Sequence, residues 1–172
     1  MIVEEVLGTR AALSAPGIET DLLELEWYET TRRIQRKKTA GGMDIAIRLL
    51  REGQRLRQDD VVYSDGRKIV VVHVKPCEAI VLRPLSMTEM GTVCYEIGNK
   101  HLPLFIQDNE VLMPFEAPMF RWLEAAGYRP EKSERQLLEL LKSNVEPHSH
   151  GNGGGPSLFT RILNLAGSKQ ES

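Results

Sequence analysis

The residues able to do chemistry are few and unevenly placed. The chain carries four histidines and two cysteines among 172 residues. His101 closes the tetrapeptide Gly98-Asn99-Lys100-His101, between a strong helix signal and a strand-like run. His148 and His150 form a His-x-His pair in a polar stretch, and His73 lies in a β-branched run. Imidazole suits nickel, copper and zinc, and a loose strand can wrap its ligands onto an ion. One imidazole cannot hold such an ion, but two copies of His101 facing each other across a dimer axis could begin to. Each residue also has a plainer reading. From spacing alone, His101 fits best as a cap on a helix C-terminus, where a cation is welcome. His148 and His150 fit solvated loop residues, and His73 a strand histidine with its hydrogen bond satisfied. Cys77 could be a soft ligand but fits core packing better, and Cys94 falls on an apolar helical stripe and is expected to be buried.

The elements around His101 are well punctuated. Ser86-Met87-Thr88-Glu89 fits a capping box, with Ser86 accepting from the backbone three residues on and Glu89 reaching back to the cap. Met90, Cys94 and Ile97 recur at helical spacing, and Gly98 then reads as the left-handed residue that ends the helix. After His101, Leu104–Gln107 and Glu110–Met113 flank Asp108-Asn109, a tight hairpin signal. Pro118 opens a second helix with Met119, Trp122, Leu123 and Ala126 on its apolar face and Gly127 at its end. Ahead of the first helix, Glu78–Arg83 is a strand candidate. The order strand, helix, strand, strand, helix is most of a ferredoxin-like unit. The remaining strand belongs between Arg129 and Leu141, yet Gln136–Leu141 is patterned more like a helix.

Residues 1 to about 75 read as β-rich. Leu22–Trp27 half-alternates, and Met43–Leu49 alternates cleanly after Gly41-Gly42. Val61–Tyr63 and Ile69–Val74 flank Asp65-Gly66, read as a two-residue hairpin turn. Lys75-Pro76 marks the expected domain junction, since proline interrupts strand pairing. The expected fold class is therefore α+β: a small β-sandwich-like N-terminal domain over 1–75, a ferredoxin-like (βαββαβ) domain over 76–142, and a flexible C-terminal tail over 143–172. In that tail, Leu158, Phe159, Ile162, Leu163 and Ala166 fall on one helical face, read as a docking helix for a maturation partner or a segment packed on its own domain.

Composition narrows the function classes. A formal net charge of −2 argues against a general nucleic-acid binder. The basic run Arg32-Arg33-Ile34-Gln35-Arg36-Lys37-Lys38 fits a solvated strand face better than an RNA patch, which would add exposed stacking aromatics. No apolar run is long enough to span a bilayer, so no membrane is expected. Met1–Glu5 lacks the basic and apolar regions of a signal peptide, and Cys77 and Cys94 form no Cys-x-x-Cys, so a cytoplasmic setting is expected. No nucleophile elbow, Walker A loop or Rossmann fingerprint occurs, and no enzymatic activity is expected.

Cys94-Tyr95-Glu96-Ile97-Gly98-Asn99-Lys100-His101-Leu102-Pro103-Leu104 resembles the signature of the urease accessory protein E family of nickel metallochaperones, over roughly Leu25 to Tyr128 of the chain. The resemblance matches His101 to the family's shared histidine. It implies a final strand in 129–141, against the local pattern. It implies a homodimer through the C-terminal domains with His101 of both copies at the axis, and His150 and His148 as tail ligands for the ion. It implies delivery of nickel, with zinc competing, to a urease accessory GTPase and the apo-urease complex. Many members end in a histidine-rich tail, whereas this chain has only His148 and His150, which argues against bulk nickel storage. Additional histidines that some members carry near the second hairpin have no counterpart in Val111–Ala117. The family's N-terminal domain resembles a chaperone's peptide-binding domain, which offers the basic run a protein partner. Two rival functions stand beside this one: an assembly chaperone with incidental metal binding, and an RNA-binding module.

Overall fold

A computed structural model describes residues 1–51 and 53–141. The described residues are mixed α and β, mostly strands with three α-helices. The chain divides into two compact units between Pro76 and Cys77. The tail histidines His148 and His150 and the apolar stretch 158–166 lie outside the described residues. Among the described residues no helix is long and apolar enough to cross a membrane.

The first unit holds β1 (Ile2–Val3), β2 (Gly8–Thr9), α1 (Arg10–Leu13), β3 (Glu19–Leu25), β4 (Ile34–Lys38), β5 (Asp44–Arg48), β6 (Asp60–Ser64) and β7 (Lys68–Val74). They make one sheet in the order β1-β5-β4 and another in the order β2-β6-β7-β3. Period-two alternation decides what faces inward. Ile45 and Ile47 of β5, Leu23 and Leu25 of β3, and Val70 and Val72 of β7 share one core cluster. Strand β7 is buried on both faces, because Ile69 and Val71 pack with Val61, Leu13 and Ile18 on its other side. That double burial is why its sequence is a continuous apolar run rather than an alternating one. The β6–β7 turn is centred one residue later than the sequence implied. Asp65 N–H donates to the Lys68 carbonyl at 3.2 Å, leaving Gly66-Arg67 as the central pair, with Gly66 at φ 84°. Glycine alone tolerates that first central position cheaply, and the Asp65 carboxylate accepts from the backbone of Arg67 and Lys68.

The second unit holds β8 (Cys77–Leu82), α2 (Met87–Asn99), β9 (Phe105–Gln107), β10 (Glu110–Pro114), α3 (Ala117–Ala125) and β11 (Glu131–Arg135). Its sheet runs β11-β8-β10-β9, antiparallel throughout. Val93 and Ile97 of α2 and Met119 and Leu123 of α3 share a core with Ile80, Leu82, Val111 and Met113. Ser86 caps α2 as its sequence implies, accepting from Glu89 N–H at 3.1 Å. The Glu89 carboxylate accepts instead from Leu85 N–H at 2.7 Å, one residue before the cap. Asp108 and Asn109 both take positive φ, 49° and 63°, as the tight hairpin requires.

The chain after β11 departs from its local pattern. Gln136–Leu141 is not helical, and its end runs antiparallel beside β9 through a Phe105↔Leu140 bridge. Ile106 N–H donates to the Glu139 carbonyl at 3.2 Å, and Leu141 N–H to the Leu104 carbonyl at 2.7 Å. The Gln107 side chain fastens the same segment, donating to the Gln136 carbonyl and accepting from Leu138 N–H. An open sheet edge offers these bonds to any strand that reaches it, and they outweigh local helical preference. Strand β11, Glu-Lys-Ser-Glu-Arg, is likewise charged throughout and held by its neighbours. Arg83 pairs with Glu110 at 2.7 Å and with Glu131, and Arg135 pairs with Glu110. The hydrogen bond from Arg135 is the largest influence holding Glu110 below the ordinary glutamate range.

The first unit buries several polar or charged residues, Asp21, Glu29, Thr39 and Asp60, and Asp21, at 5% exposure, is the most heavily bonded of them through its side chain. Thr39 Oγ1 donates to it at 2.7 Å, Gly41 N–H at 2.7 Å and Leu22 N–H at 2.9 Å, and Lys68 Nζ lies 3.2 Å away. Burial by itself pushes this carboxyl up, but its donors and Lys68 together hold it below its ordinary value of 3.8. A Cβ on Gly41 would stand 2.6 Å from Asp21 Oδ2, so only glycine permits the approach. Because the folded value is depressed, the stabilisation is fully present above pH 3.8 and is lost as pH falls through the folded value. Asp21→Asn should therefore destabilise the protein by about 1.5–3 kcal/mol at neutral pH, the range for a hydrogen bond to a charged group. Urea unfolding should show the gap from wild type closing as the solution is acidified below pH 3.8.

Candidate metal centre at the end of the second helix

His101 is exposed and stands just past the end of α2. Its backbone, not that of Gly98, takes the left-handed conformation, with φ 54°. Gly98 remains inside the helix. Lys100 N–H donates to the Ile97 carbonyl at 3.0 Å and His101 N–H to the Gly98 carbonyl at 2.9 Å, closing the last turn. Ile97, fully buried, anchors the helix before this point, and the buried Leu104 and Phe105 anchor the strand after it. Lys100 Nζ lies 4.1 Å from the centroid of the Trp122 ring, tying the helix end to α3. Tyr128 donates from its hydroxyl to Glu96 at 3.0 Å, a second tie on the same helix. The imidazole is thus carried outward on a backbone held from both sides.

The other sequence-derived candidates are not brought to it. His73 is half-buried on β7, opposite Glu24 of β3, in the first unit. Cys94 is half-buried rather than buried, with its sulfur 3.9 Å from that of Met90, and burial raises its thiol above the ordinary range. Such a thiol is a poor ligand. Cys77 is half-buried in β8. Among the described residues no three His, Cys, Asp or Glu side chains cluster as a metal would need. A cavity of about 300 Å³ opens at the opposite end of α2, beside Leu85, Glu89 and Tyr128, and contains none of the histidines.

Sequence reasoning missed the surface that leads to His101. Met87 is 86% exposed and Tyr95 72%, with Gly91 and Gly98 exposed between and beyond them. These four fall at offsets 0, 4, 8 and 11, one face of α2. The signal was present in the spacing, but the Met90–Cys94–Ile97 stripe is the one that burial follows.

Comparison with known proteins decides the family. The profile of the UreE urease accessory protein, N-terminal domain, matches residues 3–75. A urease accessory protein UreE of Flavobacterium johnsoniae is 51% identical over 166 residues, covering 96% of this chain and 99% of the relative. The chain belongs to the UreE family of urease accessory proteins. Two further relatives carry the same name, urease accessory protein UreE. That of Actinobacillus pleuropneumoniae is 47% identical, over 83% of this chain and 79% of its own. That of Helicobacter pylori is 34% identical, over 88% of this chain and 92% of its own. The resemblance read from Cys94–Leu104 is thereby established across nearly the whole length, with proteins named as accessory factors.

A non-glycine residue in the left-handed region carries a cost of about 1 kcal/mol. His101→Gly should therefore raise the unfolding free energy by about 1 kcal/mol, while His101→Val, β-branched, should lower it. Chemical denaturation of the three proteins tests the order Gly above His above Val.

Proposed function

We propose that this chain serves urease maturation as a nickel metallochaperone, with His101 as the primary ligand. The observation that carries this reading is the presentation of His101, exposed and held in a left-handed turn at the end of α2. Two copies meeting through the Met87–Gly91–Tyr95–Gly98 face would bring both His101 residues to one axis. Exposed Met and Tyr beside glycines suit a self-complementary contact. The site would be shared between subunits of a homodimer.

The position of Leu141 supports His148 and His150 as the remaining ligands. Leu141 is bonded to Leu104, three residues from His101. The seven steps from Leu141 to His148 can span up to about 25 Å. Tail histidines can therefore reach the imidazole of their own subunit. A shell completed by loose ligands suits a carrier, because they can leave one at a time during transfer. Nickel here is cargo, zinc competes for the same imidazoles, and the recipients are the urease accessory GTPase and the apo-urease complex. The chain acts as a binding protein in the cytoplasm rather than as an enzyme.

The strand and helix order of the second unit supports a ferredoxin-like (βαββαβ) domain over 76–142. The shared core of two sheets supports a β-sandwich-like domain over 1–75. Residues 143–172 would be the tail.

Isothermal titration with nickel and native mass measurement test the reading. Wild type should bind one tight ion per dimer, and His101→Ala should lose that site while remaining folded and dimeric. Unchanged tight binding in His101→Ala would reject it. Removing His148 and His150 together should weaken nickel retention without changing the dimer. Ligation requires neutral imidazole, so affinity should fall as the solution is acidified through about pH 6. A flat profile would assign the ion to carboxylates or backbone.

A further inference from the structure

We propose, on the reading of His101 as the nickel ligand, that Trp122 is a positioning residue for that site: its indole holds the Lys100 ammonium away from the ion. Lys100 directly precedes His101, and consecutive Cα atoms lie about 3.8 Å apart. The Debye length at physiological salt is about 8 Å. An unrestrained ammonium on Lys100 would therefore face an incoming dication with little screening. Some contact has to decide where this charge rests.

That contact is with α3. Lys100 Nζ lies 4.1 Å from the centroid of the Trp122 ring. Both residues are half-buried, and a cation–π pair strengthens as it is desolvated. The ring is itself fixed, because Trp122 packs against the cluster that holds Val93 and Ile97 of α2 with Met119 and Leu123 of α3. The backbone then separates the two neighbours. Lys100 has φ −88° and ψ 0°, and His101 turns left-handed at φ 54°. One side chain lies on α3, and the next is exposed to solvent.

Among the described residues no ion pair holds Lys100. Glu96 stands four residues before it, the spacing at which a helix pairs acid with base. The Glu96 carboxylate is engaged instead by the Tyr128 hydroxyl, which donates to it at 3.0 Å. Lys132 provides the contrast. Its Nζ lies 4.4 Å from the Phe115 ring centroid but also 2.6 Å from a Glu78 carboxylate oxygen. That cation is neutralised where it rests. The Lys100 charge is held by an indole and keeps its full value, so its effect on a neighbouring ion depends on where the ring puts it.

The test is nickel calorimetry on the full chain at low and high salt, comparing wild type, Trp122→Leu, and Trp122→Leu combined with Lys100→Gln. Trp122→Leu should weaken nickel binding about three- to tenfold at low salt, and by less at high salt, where the released charge is screened. The double variant removes that charge and should recover the wild-type affinity. A merely structural role for Trp122 would give a loss that neither salt nor Lys100→Gln relieves, and that result would overturn the proposal. So would wild-type affinity in Trp122→Leu. Fluorescence of the metal-free chain supplies a readout that spares the core. The chain has two tryptophans, and Trp27 is buried in the other unit, so a spectral difference between wild type and Lys100→Gln reports on Trp122. The indole emission should change when the cation leaves the ring, and identical spectra would overturn the clamp. His101→Ala separates the two possible failures. If it keeps the tight site, the histidine reading falls and this proposal with it. If it loses the site while Trp122→Leu binds like wild type, only the role of Trp122 falls.

Discussion

The second unit depends on a single reversal of chain direction. Helix α2 must bury Val93 and Ile97 against the sheet, and the chain must then supply buried Leu104 and Phe105 to the sheet's edge. Few residues separate these anchors, so the helix has to stop abruptly. The left-handed turn at His101 does this. Glycine would adopt it at less cost. That histidine occupies the position instead means its side chain is delivered outward by the same geometry that ends the helix.

The edge created by that reversal also sets the path of the chain beyond β11. Strand β9 exposes a free side, and Gln136–Leu141 fills it, pinned by the Gln107 side chain and by Leu141 on Leu104. Leu141 is thereby bonded to Leu104, which lies three residues along the chain from His101. Charge does comparable work at the far end of the unit, where Arg83, Glu110, Glu131 and Arg135 bind three strands together.

The first unit separates its charges by face. Inward cations are paired, Lys37 with Glu29 and Lys68 with Asp21 and Glu19. Outward ones on β4 are left to solvent or loosely matched. A neutralised inner face avoids the cost of a buried unpaired charge, which is several kcal/mol. An open outer face costs little in water and remains available. The overall charge of −2 conceals this partition, because the totals average two faces with different tasks.

Features that rest on neighbouring residues were legible in the sequence. The Ser86 cap, the Asp108-Asn109 turn, the opening of α3 at Pro118 and the alternation of β5 come from local chemistry and appear as read. The family was legible from Cys94–Leu104 for the same reason, since that motif is one contiguous stretch of the chain. Tertiary structure decided the features that depend on distant partners. Gln136–Leu141 is helical in pattern yet forms no helix, because β9 and the Gln107 side chain take up its backbone groups. The left-handed residue is His101 rather than Gly98, because burial of Ile97 and Leu104 sets where the helix must end. Which alternate residues of β4 turn outward is likewise a property of its pairing with β5. Local propensities differ by fractions of a kcal/mol per residue. Burial and pairing contribute more at each site, so wherever the two conflict it is the contact across the fold that prevails.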